Sequence, residues 1–482
     1  MQTNTTTTGA TCQAQTPIDL KDGKPLGYWV KDEQGRVYHV KTKAEQPLQD
    51  RSPSGRVRPW RVHHRDGLML AEVYESMAEL TAEQPDNNAA KYLDKARRLT
   101  QCAAFAEFQR LPSGELRLHD SSFCRVRLCP MCQWRRSLKL GAQVRQVVER
   151  ANADRIKETG APLRWLMVTL TVRNVEGPDL GREIDRLHKA LNNMAKSKTW
   201  AAAVLGWLRA TEVTHNTKAD TYHPHMHLLL CVSPSYFRGR NYITQKGWQT
   251  MWAHYAGTDY EPVVDVRAVK PAGGARLSDL PAGEQAAAMG KACAEVSKYA
   301  AKPADYIIPQ DWAASMQAVA VLDAMLNKRR MTSWGGILKT IAKGLQLDDP
   351  ENGDLVHIDE TASADQTAEE LAHYVAYSWA MGARDYLPTY ERDGESPAKE
   401  RAERDANREA FRAGRREQAK KEWQEGLDII DLYMQAAGWD PKEQAKARHA
   451  LQTLPRSVIE RQLREYREAI ELPEGWEENS DG

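Results

Sequence analysis

The chain has 482 residues, enough for two or three domains, and its 67 Lys and Arg nearly balance its 66 Asp and Glu. The balance is uneven, because residues 346–482 carry 18 Lys and Arg against 32 Asp and Glu, whereas residues 1–345 carry 49 against 34. No apolar run approaches the 18–20 residues of a membrane span, and the N-terminus lacks a signal-peptide core. We therefore expect a cytoplasmic protein, with no membrane segment, whose basic part contacts a polyanion such as nucleic acid.

The predicted elements follow a Thr- and Gln-rich tail, residues 1–20, which we expect to be disordered. Helical spacing of Ala and Leu predicts helices over 71–110. Patterns further along predict strand 164–173, helix 181–196, strand 206–214, strand 225–232, helix 245–255, strand 262–268 and helix 284–302. A helix pair with a turn at residues 334–336 is expected over 311–347. From about residue 360 the chain is expected to be helical, with long helices over 398–436 and 441–472.

The order of these elements predicts an α+β fold, in which one mostly antiparallel sheet is flanked by helices. The polar segment 216–222 is short enough to join strands 206–214 and 225–232 as an antiparallel hairpin. We expect four parts: the tail 1–20, an N-terminal region 21–150, a core domain 151–345, and an acidic, mainly helical region 346–482.

Two histidines predict a metal site. His225 and His227 alternate around Met226, just before the apolar run 228–232. Residues i and i+2 of a strand point to one face, so both imidazoles share a side while Met226 enters the core. Glu212 lies on the strand expected to pair with them and is the candidate third ligand. Two imidazoles and one carboxylate leave positions open on a divalent ion, as catalysis requires; the alternative is ordinary surface or core histidines.

A candidate nucleophile follows on the predicted helix 284–302, which Pro303 ends. Glu295 and Tyr299 are four residues apart, and Lys302 follows three residues later, so all three would share one helix face. Lys302 and a metal ion would favour the phenolate of Tyr299, and Glu295 would act as a general base. The alternatives are a solvated helix face with an ion pair between Glu295 and Lys298, or Tyr299 as a core residue.

Four of the seven cysteines predict a structural zinc site. Cys124, Cys129 and Cys132 have the spacing C-x4-C-x2-C, and Cys102 lies upstream as a fourth thiolate. The basic sequence that follows, residues 133–139, looks like the start of a helix that zinc would order against DNA. A redox pair or unligated cysteines are the alternatives.

With these motifs, the chain resembles the plasmid rolling-circle replication initiators (Rep family 1) of the His-hydrophobic-His (HUH) endonuclease superfamily. The resemblance covers roughly residues 98–360 and rests on three motifs in order: the strand 166–172, His223 to His227, and Glu295 to Lys302. The third motif is similar to that of the subgroup with one catalytic tyrosine and a glutamate four residues before it. The Cys-rich stretch also resembles the family.

This resemblance implies an enzyme that nicks one DNA strand at a replication origin through Tyr299, with Glu295 helping water to end the cycle. It implies Mg²⁺ or Mn²⁺ at the histidines, although that ligand set would also suit Zn²⁺. The implied partners are single-stranded DNA, duplex origin DNA, and a host helicase and polymerase. Two alternatives stay open: a transposase or relaxase of the same superfamily, and a non-catalytic, zinc-containing DNA-binding regulator.

Overall fold

The structure is a computed structural model that describes residues 20–21, 24–25, 27–31, 37–41, 47–52, 55–82, 88–270, 280, 289–298, 300–358, 372–395, 397–436 and 438–453. Parts of four predictions fall outside these residues: the tail 1–20 apart from Leu20, residues 284–288 of the helix predicted over 284–302, the end of the helix predicted over 441–472, and the position of Tyr299. The chain divides into two compact units, Met1–Pro397 and Ala398–Gly482.

The described strands, in chain order, are β1 Leu20–Lys21, β2 Lys24–Pro25, β3 Gly27–Lys31, β4 Val37–Lys41, β5 Phe105–Arg110, β6 Leu116–Ser121, β7 Arg164–Leu170, β8 Val204–Asn216, β9 Thr221–Val232, β10 Val264–Ala268, β11 Thr332–Gly335, β12 Ala372–Ala380 and β13 Asp385–Gly394. The described α-helices are α1 Trp60–Thr81, α2 Ala89–Thr100, α3 Pro130–Thr159, α4 Leu180–Met194, α5 Lys198–Ala203, α6 Gln245–Ala256, α7 Gly290–Glu295, α8 Trp312–Leu326, α9 Gly336–Gly344, α10 Pro397–Ala436 and α11 Pro441–Thr453. Within the described part of the chain, no helix is both long and apolar enough to cross a membrane.

A five-stranded antiparallel sheet forms the centre of the first unit, in the order β10-β7-β9-β8-β11. Strands β8 and β9 pair along their whole length and are joined by a turn at 217–220, so the predicted antiparallel hairpin is confirmed. The α+β fold class is confirmed as well, since this sheet is antiparallel and helices pack against it.

Helices cover both faces of the central sheet. On one face, Leu228 and Leu230 of β9 pack in a buried cluster with α4 and α6, where Trp248 and Trp252 are fully buried. On the other face, Leu229 and Cys231 pack with residues of α3, α7 and α9. The alternation of β9 between two buried layers explains why its sequence is a continuous apolar run.

A second antiparallel sheet has the order β13-β12-β5-β6, and it corrects two predictions. The helix expected to reach residue 110 was wrong beyond α2, because 105–110 is strand β5. The helical structure expected from about residue 360 was wrong for 372–394, which is the hairpin β12–β13. Both errors have one cause, since β5 and β12 pair across more than 260 residues and local periodicity carries no sign of such a partner.

The predicted helix pair over 311–347 contains α8 and α9, but the turn expected at residues 334–336 was wrong in part. Residues 332–335 form the edge strand β11, which pairs with β8 from Ala210 to Trp207. Gly335 and Gly336 permit this close approach, because a Cβ at either position would lie within 2.5 Å of an atom of Trp207 or of the Leu205 carbonyl oxygen.

The second unit contains the two long helices expected at the end of the chain. Helix α10 spans Pro397–Ala436 and α11 spans Pro441–Thr453, with Gly438 in a left-handed conformation between them. Leu427 is buried, and Arg448 of α11 forms an ion pair with Asp431 of α10, so the two helices contact each other.

Candidate functional site

The three predicted metal ligands lie together on one face of the central sheet. Glu212 of β8 is directly opposite His225 of β9, and His227 is opposite Ala210. Glu212 Oε2 lies 3.2 Å from His227 Nε2 and 3.6 Å from His225 Nε2. All three residues are buried, whereas Met226 points to the opposite face and packs in the core.

The ligand atoms of this triad fit one divalent ion. One oxygen of Glu212 and one nitrogen from each histidine lie within 4.8 Å of one another. Neighbouring ligands of an ion with bonds of about 2.1 Å are about 3.0 Å apart in an octahedron and about 3.4 Å apart in a tetrahedron. The 3.2 and 3.6 Å separations lie close to that range, so the group can hold an ion with little rearrangement.

Glu212 is kept ionised by its neighbours. Burial alone would raise the pKa of Glu212, but polar contacts with His225, His227 and Lys302 outweigh burial and hold that pKa well below its usual range. Lys302 Nζ lies 2.6 Å from Glu212 Oε1, and this contact raises the pKa of the lysine. The predicted lysine is therefore in contact with a candidate metal ligand, and Glu212 keeps Oε2 directed at the imidazoles.

A threonine that sequence reasoning missed orients one of the imidazoles. Thr169 of β7 pairs with His227, and its Oγ1 lies 3.2 Å from His227 Nδ1. His225 Nδ1 is held in turn by the carbonyl of His223 at 3.1 Å. Both contacts use Nδ1 and leave Nε2 for the ion, which is the usual way in which a second hydrogen bond positions a histidine ligand. The sequence pattern of residues 166–172 predicted the strand, but only the pairing of β7 with β9 shows that Thr169 lies next to His227.

The helix predicted over 284–302 was wrong beyond Glu295, where α7 ends. Lys302 is extended, with φ −80° and ψ 147°, because the residue before a proline is disfavoured in the helical region. Ala300 also leaves helical bonding, since its carbonyl accepts a hydrogen bond of 2.8 Å from the Val213 amide on strand β8. Glu295 and Lys302 therefore do not share one helix face, although both lie close to the candidate metal ligands.

Glu295 still reaches the metal site from the end of α7. Its Oε1 lies 3.8 Å from His227 Nε2 and 2.5 Å from Lys298 Nζ. Tyr299 lies outside the described residues, but Lys298 before it contacts Glu295, and Ala300 after it is bonded to the residue next to Glu212.

The four predicted cysteines form a second cluster. Their Sγ atoms are 3.5 Å apart for Cys102 and Cys129, 3.6 Å for Cys102 and Cys132, and 3.7 Å for Cys124 and Cys132. Tetrahedral zinc with bonds of about 2.3 Å would place its sulfurs about 3.8 Å apart. The four thiols therefore fit one closed, tetrahedral ion.

Backbone amides support the same cluster. Amide groups of Arg125 and Cys132 point at the sulfurs of Cys132 and Cys129 at 3.2 and 3.5 Å, and Arg125 adopts a left-handed φ of 58° to do so. The cluster joins the end of α2, the loop after β6 and the start of α3. The expectation that zinc orders the following basic helix against DNA was wrong for Arg135, which is 2% exposed and donates to the carbonyls of Leu355 and Val356.

Comparison with known proteins identifies a family of similar chains. The sequence pattern of the family described as "Replication protein" (Rep_1) matches residues 115–387. A "Protein rep" of Bacillus amyloliquefaciens is 38% identical over 346 residues, which cover 70% of this chain and 96% of that one. A "Protein rep" of a Bacillus species is 40% identical over 60% of this chain and 91% of its own length. A "Replication protein" of Staphylococcus aureus is 36% identical over 52% of this chain and 99% of its own. No solved structure matches the chain.

Proposed function

Because the chain belongs to the Rep_1 family of replication proteins, we propose that it initiates plasmid rolling-circle replication by nicking one strand at the origin. The observation that carries this proposal is the convergence of Glu212, His225 and His227 with Glu295 and Lys302 on one face of the central sheet. Such a group of candidate metal ligands beside a further carboxylate suits phosphodiester chemistry.

The proposed nucleophile is Tyr299. Its phenolic oxygen attacks the scissile phosphorus, the bond from phosphorus to the 3′-oxygen breaks, and the phenol proton leaves to solvent or to a basic group. The 5′-phosphate then remains on the tyrosine, and the departing 3′-oxygen takes up a proton to become a hydroxyl. A host polymerase would extend that hydroxyl while a host helicase unwinds the duplex.

The neighbouring residues have separate tasks in this scheme. A divalent ion, Mg²⁺ or Mn²⁺, would polarise the scissile phosphate when bound by Glu212, His225 and His227. Lys302 holds Glu212 in place and adds positive charge near the phosphate. Glu295 accepts a proton from water in the step that ends the cycle and releases the tyrosine. The cysteine cluster would bind zinc as a structural ion.

The test is a nicking assay on labelled origin DNA with Tyr299→Phe. Loss of the hydroxyl should abolish both the nick and the covalent protein–DNA species, while the free energy of unfolding changes little. Tyr255→Phe, on helix α6 at the other face of the sheet, is a matched control that should retain both. An adduct that persists in Tyr299→Phe and maps to another tyrosine would overturn the assignment.

A second arm tests the metal. His225→Ala and His227→Ala should abolish nicking but leave DNA binding measurable, because lysines and arginines elsewhere supply most phosphate contacts. Nicking by the unmodified protein should need added Mg²⁺ or Mn²⁺ and stop with a chelator. Full nicking after removal of metal would contradict the metal site, and DNA binding without any cleavage would favour a regulator.

A further inference from the structure

A surface at one end of the central sheet combines exposed aromatic rings with cationic side chains. It consists of the loop 233–242 after β9, Arg164 at the start of β7, and Lys196 and Lys198 before and at the start of α5. We call it the aromatic–basic end. None of its residues belongs to the metal centre or to the cysteine cluster.

Strand pairing brings these segments together. Val232, the last residue of β9, is paired with Arg164 on one side and Val204 on the other. The loop is tied to α5 as well, because Asn241 Nδ2 donates a hydrogen bond of 2.9 Å to the carbonyl of Ala202. The aromatic–basic end is therefore one continuous edge of the fold.

The aromatic rings of this surface are exposed yet held in place. Phe237 is 39% exposed and Tyr242 is 48% exposed, with ring centroids 6.2 Å apart. Beneath them the buried Tyr236 contacts both rings and accepts a hydrogen bond of 3.2 Å from the Ile243 amide through its hydroxyl. Because Tyr236 holds these two rings in place, they offer flat faces to a ligand and lose little conformational entropy on binding.

The charge at this end is positive and largely uncompensated. Arg238 and Arg240 are exposed, and neither forms an ion pair with a described residue. The Arg164 guanidinium lies 5.2 Å from the centre of the Phe237 ring. Residues 186–211 and 226–258 contain no Asp or Glu, so the adjoining chain adds no carboxylate of its own.

We propose that the aromatic–basic end binds single-stranded DNA, with bases stacked on Phe237 and Tyr242. The neighbouring arginines would neutralise phosphates. Exposed rings among cations suit an unpaired strand, because duplex bases are already stacked on each other and present no free face. A protein partner would need an apolar core larger than two rings surrounded by charge.

This proposal deepens the proposed function and rests on it, because the surface would hold the DNA strand that is nicked nearby. Val232 lies five positions after His227 on β9, which corresponds to about 17 Å along the β-strand. A DNA strand bound both at the histidines and at the aromatic–basic end would be kept apart from its complementary strand between these two places. The surface thus gives the enzyme a hold on unpaired DNA that does not depend on the metal.

The experiment measures binding of the full chain, with a chelator present to prevent cleavage. The probes are fluorescein-labelled oligothymidylate of about 20 nucleotides and a duplex of the same length. Because stacking contributes roughly 1–3 kcal/mol per base, the double variant Phe237→Ala/Tyr242→Ala should raise Kd for the single strand at least about tenfold. Its Kd for the duplex should stay within about twofold.

Two further variants sharpen the test. Arg238→Ala/Arg240→Ala should reduce the slope of log K against log salt for the single strand by about 1.4, whereas the aromatic variant should keep that slope. Phe411→Ala/Trp439→Ala removes two exposed aromatic rings from the second unit and should leave both Kd values unchanged.

An unchanged single-strand Kd in both loop variants, or an equal loss on single strand and duplex, would overturn the proposal. Melting temperatures close to that of the unmodified chain would show that the loop variants fold. Since binding is measured without metal, failure of the nicking test would leave this result intact, and failure here would leave nicking intact.

Discussion

At the scale of single residues, Glu212 contacts both the candidate metal-binding histidines and Lys302. One carboxylate oxygen is directed at His225 and His227, and the other is in contact with Lys302. Glu212 thereby ties the candidate metal ligands on β8 and β9 to the segment that follows α7. A neutral amide at this position would weaken both the metal site and the hold on Lys302.

Glu295 allows a prediction that separates the two steps of the cycle. Its Oε1 contacts Lys298 Nζ at 2.5 Å and lies 3.8 Å from His227 Nε2, which is beyond hydrogen-bond distance, so the carboxylate is near the histidines without being bonded to them. Glu295→Ala should still nick and form the tyrosine adduct, but adduct should accumulate because its hydrolysis fails. A time course of labelled covalent complex measures this. Loss of the first cut would instead assign Glu295 to the metal or to activation of Tyr299.

Thr169 permits a test of the orientation of His227. Without the Thr169 hydroxyl, Nδ1 of His227 loses its partner, and such contacts typically contribute 10- to 100-fold to metal affinity. Thr169→Val should raise the Mn²⁺ concentration for half-maximal nicking by about that factor, and saturating Mn²⁺ should restore most of the rate. Thr171→Val is the matched control, since the Thr171 hydroxyl bonds the carbonyl of Val263. A rate that metal does not restore would indicate structural damage.

The candidate ligands could be predicted from sequence, but their surroundings could not. Alternation of His225 and His227 before an apolar strand is a local pattern, and so is the spacing of Cys124, Cys129 and Cys132. Thr169 became visible only through its register with His227 on a strand 58 residues away. The contact of Lys302 with Glu212 likewise depends on how the chain leaves α7.

At the scale of elements, four of the five strands of the central sheet were predictable because they are close in sequence or strongly apolar, whereas β11 was not predicted. The helix around Glu295 was predicted too long. Alanine-rich sequence favours a helix, but Pro303 disfavours one, and the Val213 amide of β8, beyond the residues that pair with β11, bonds the Ala300 carbonyl instead. The second sheet was not predicted, because β5 pairs with β12 more than 260 residues away and local sequence does not show this pairing. Non-local pairing therefore accounts for most of the errors.

The cysteine cluster joins three elements of the first unit, and this leads to a stability prediction. It connects α2, the loop after β6 and α3, whose later turns pack on the central sheet. Purified protein should contain about one zinc per chain. Cys129→Ser should lose it and melt roughly 10 °C lower or more, since binding energy at such a site is folding energy.

Metal analysis and thermal unfolding measure the two effects together. Cys231→Ala is the control, because Cys231 is buried in the central sheet and contacts no other cysteine of the described chain. It should keep its zinc while losing some stability from the small cavity. Protein purified without tightly bound zinc, or Cys129→Ser with unchanged melting, would reject the structural ion.

At the scale of the whole molecule, most of the excess of Asp and Glu lies before the two C-terminal helices, not within them. Residues 346–397 carry 2 Lys and Arg against 13 Asp and Glu, whereas residues 398–482 carry 16 against 19. The acidic stretch therefore includes the hairpin β12–β13, which completes the second sheet of the first unit. The division of the chain at Pro397, rather than at residue 346, follows from this long-range pairing.

The division predicts that the first unit carries the nicking activity by itself. The family match ends at residue 387, and every residue of the proposed metal centre and cysteine cluster lies before Pro397. A chain ending at Pro397 should therefore fold, keep its zinc and nick origin DNA within about twofold of the full chain. A chain ending at residue 371 should fail, because it lacks β12 and the buried Tyr374 and Tyr386, leaving β5 without its partner strand. Thermal unfolding and the nicking assay on both chains decide this. A shortened chain ending at Pro397 that folds with full zinc content but cannot nick would show that the helical unit takes part in the reaction.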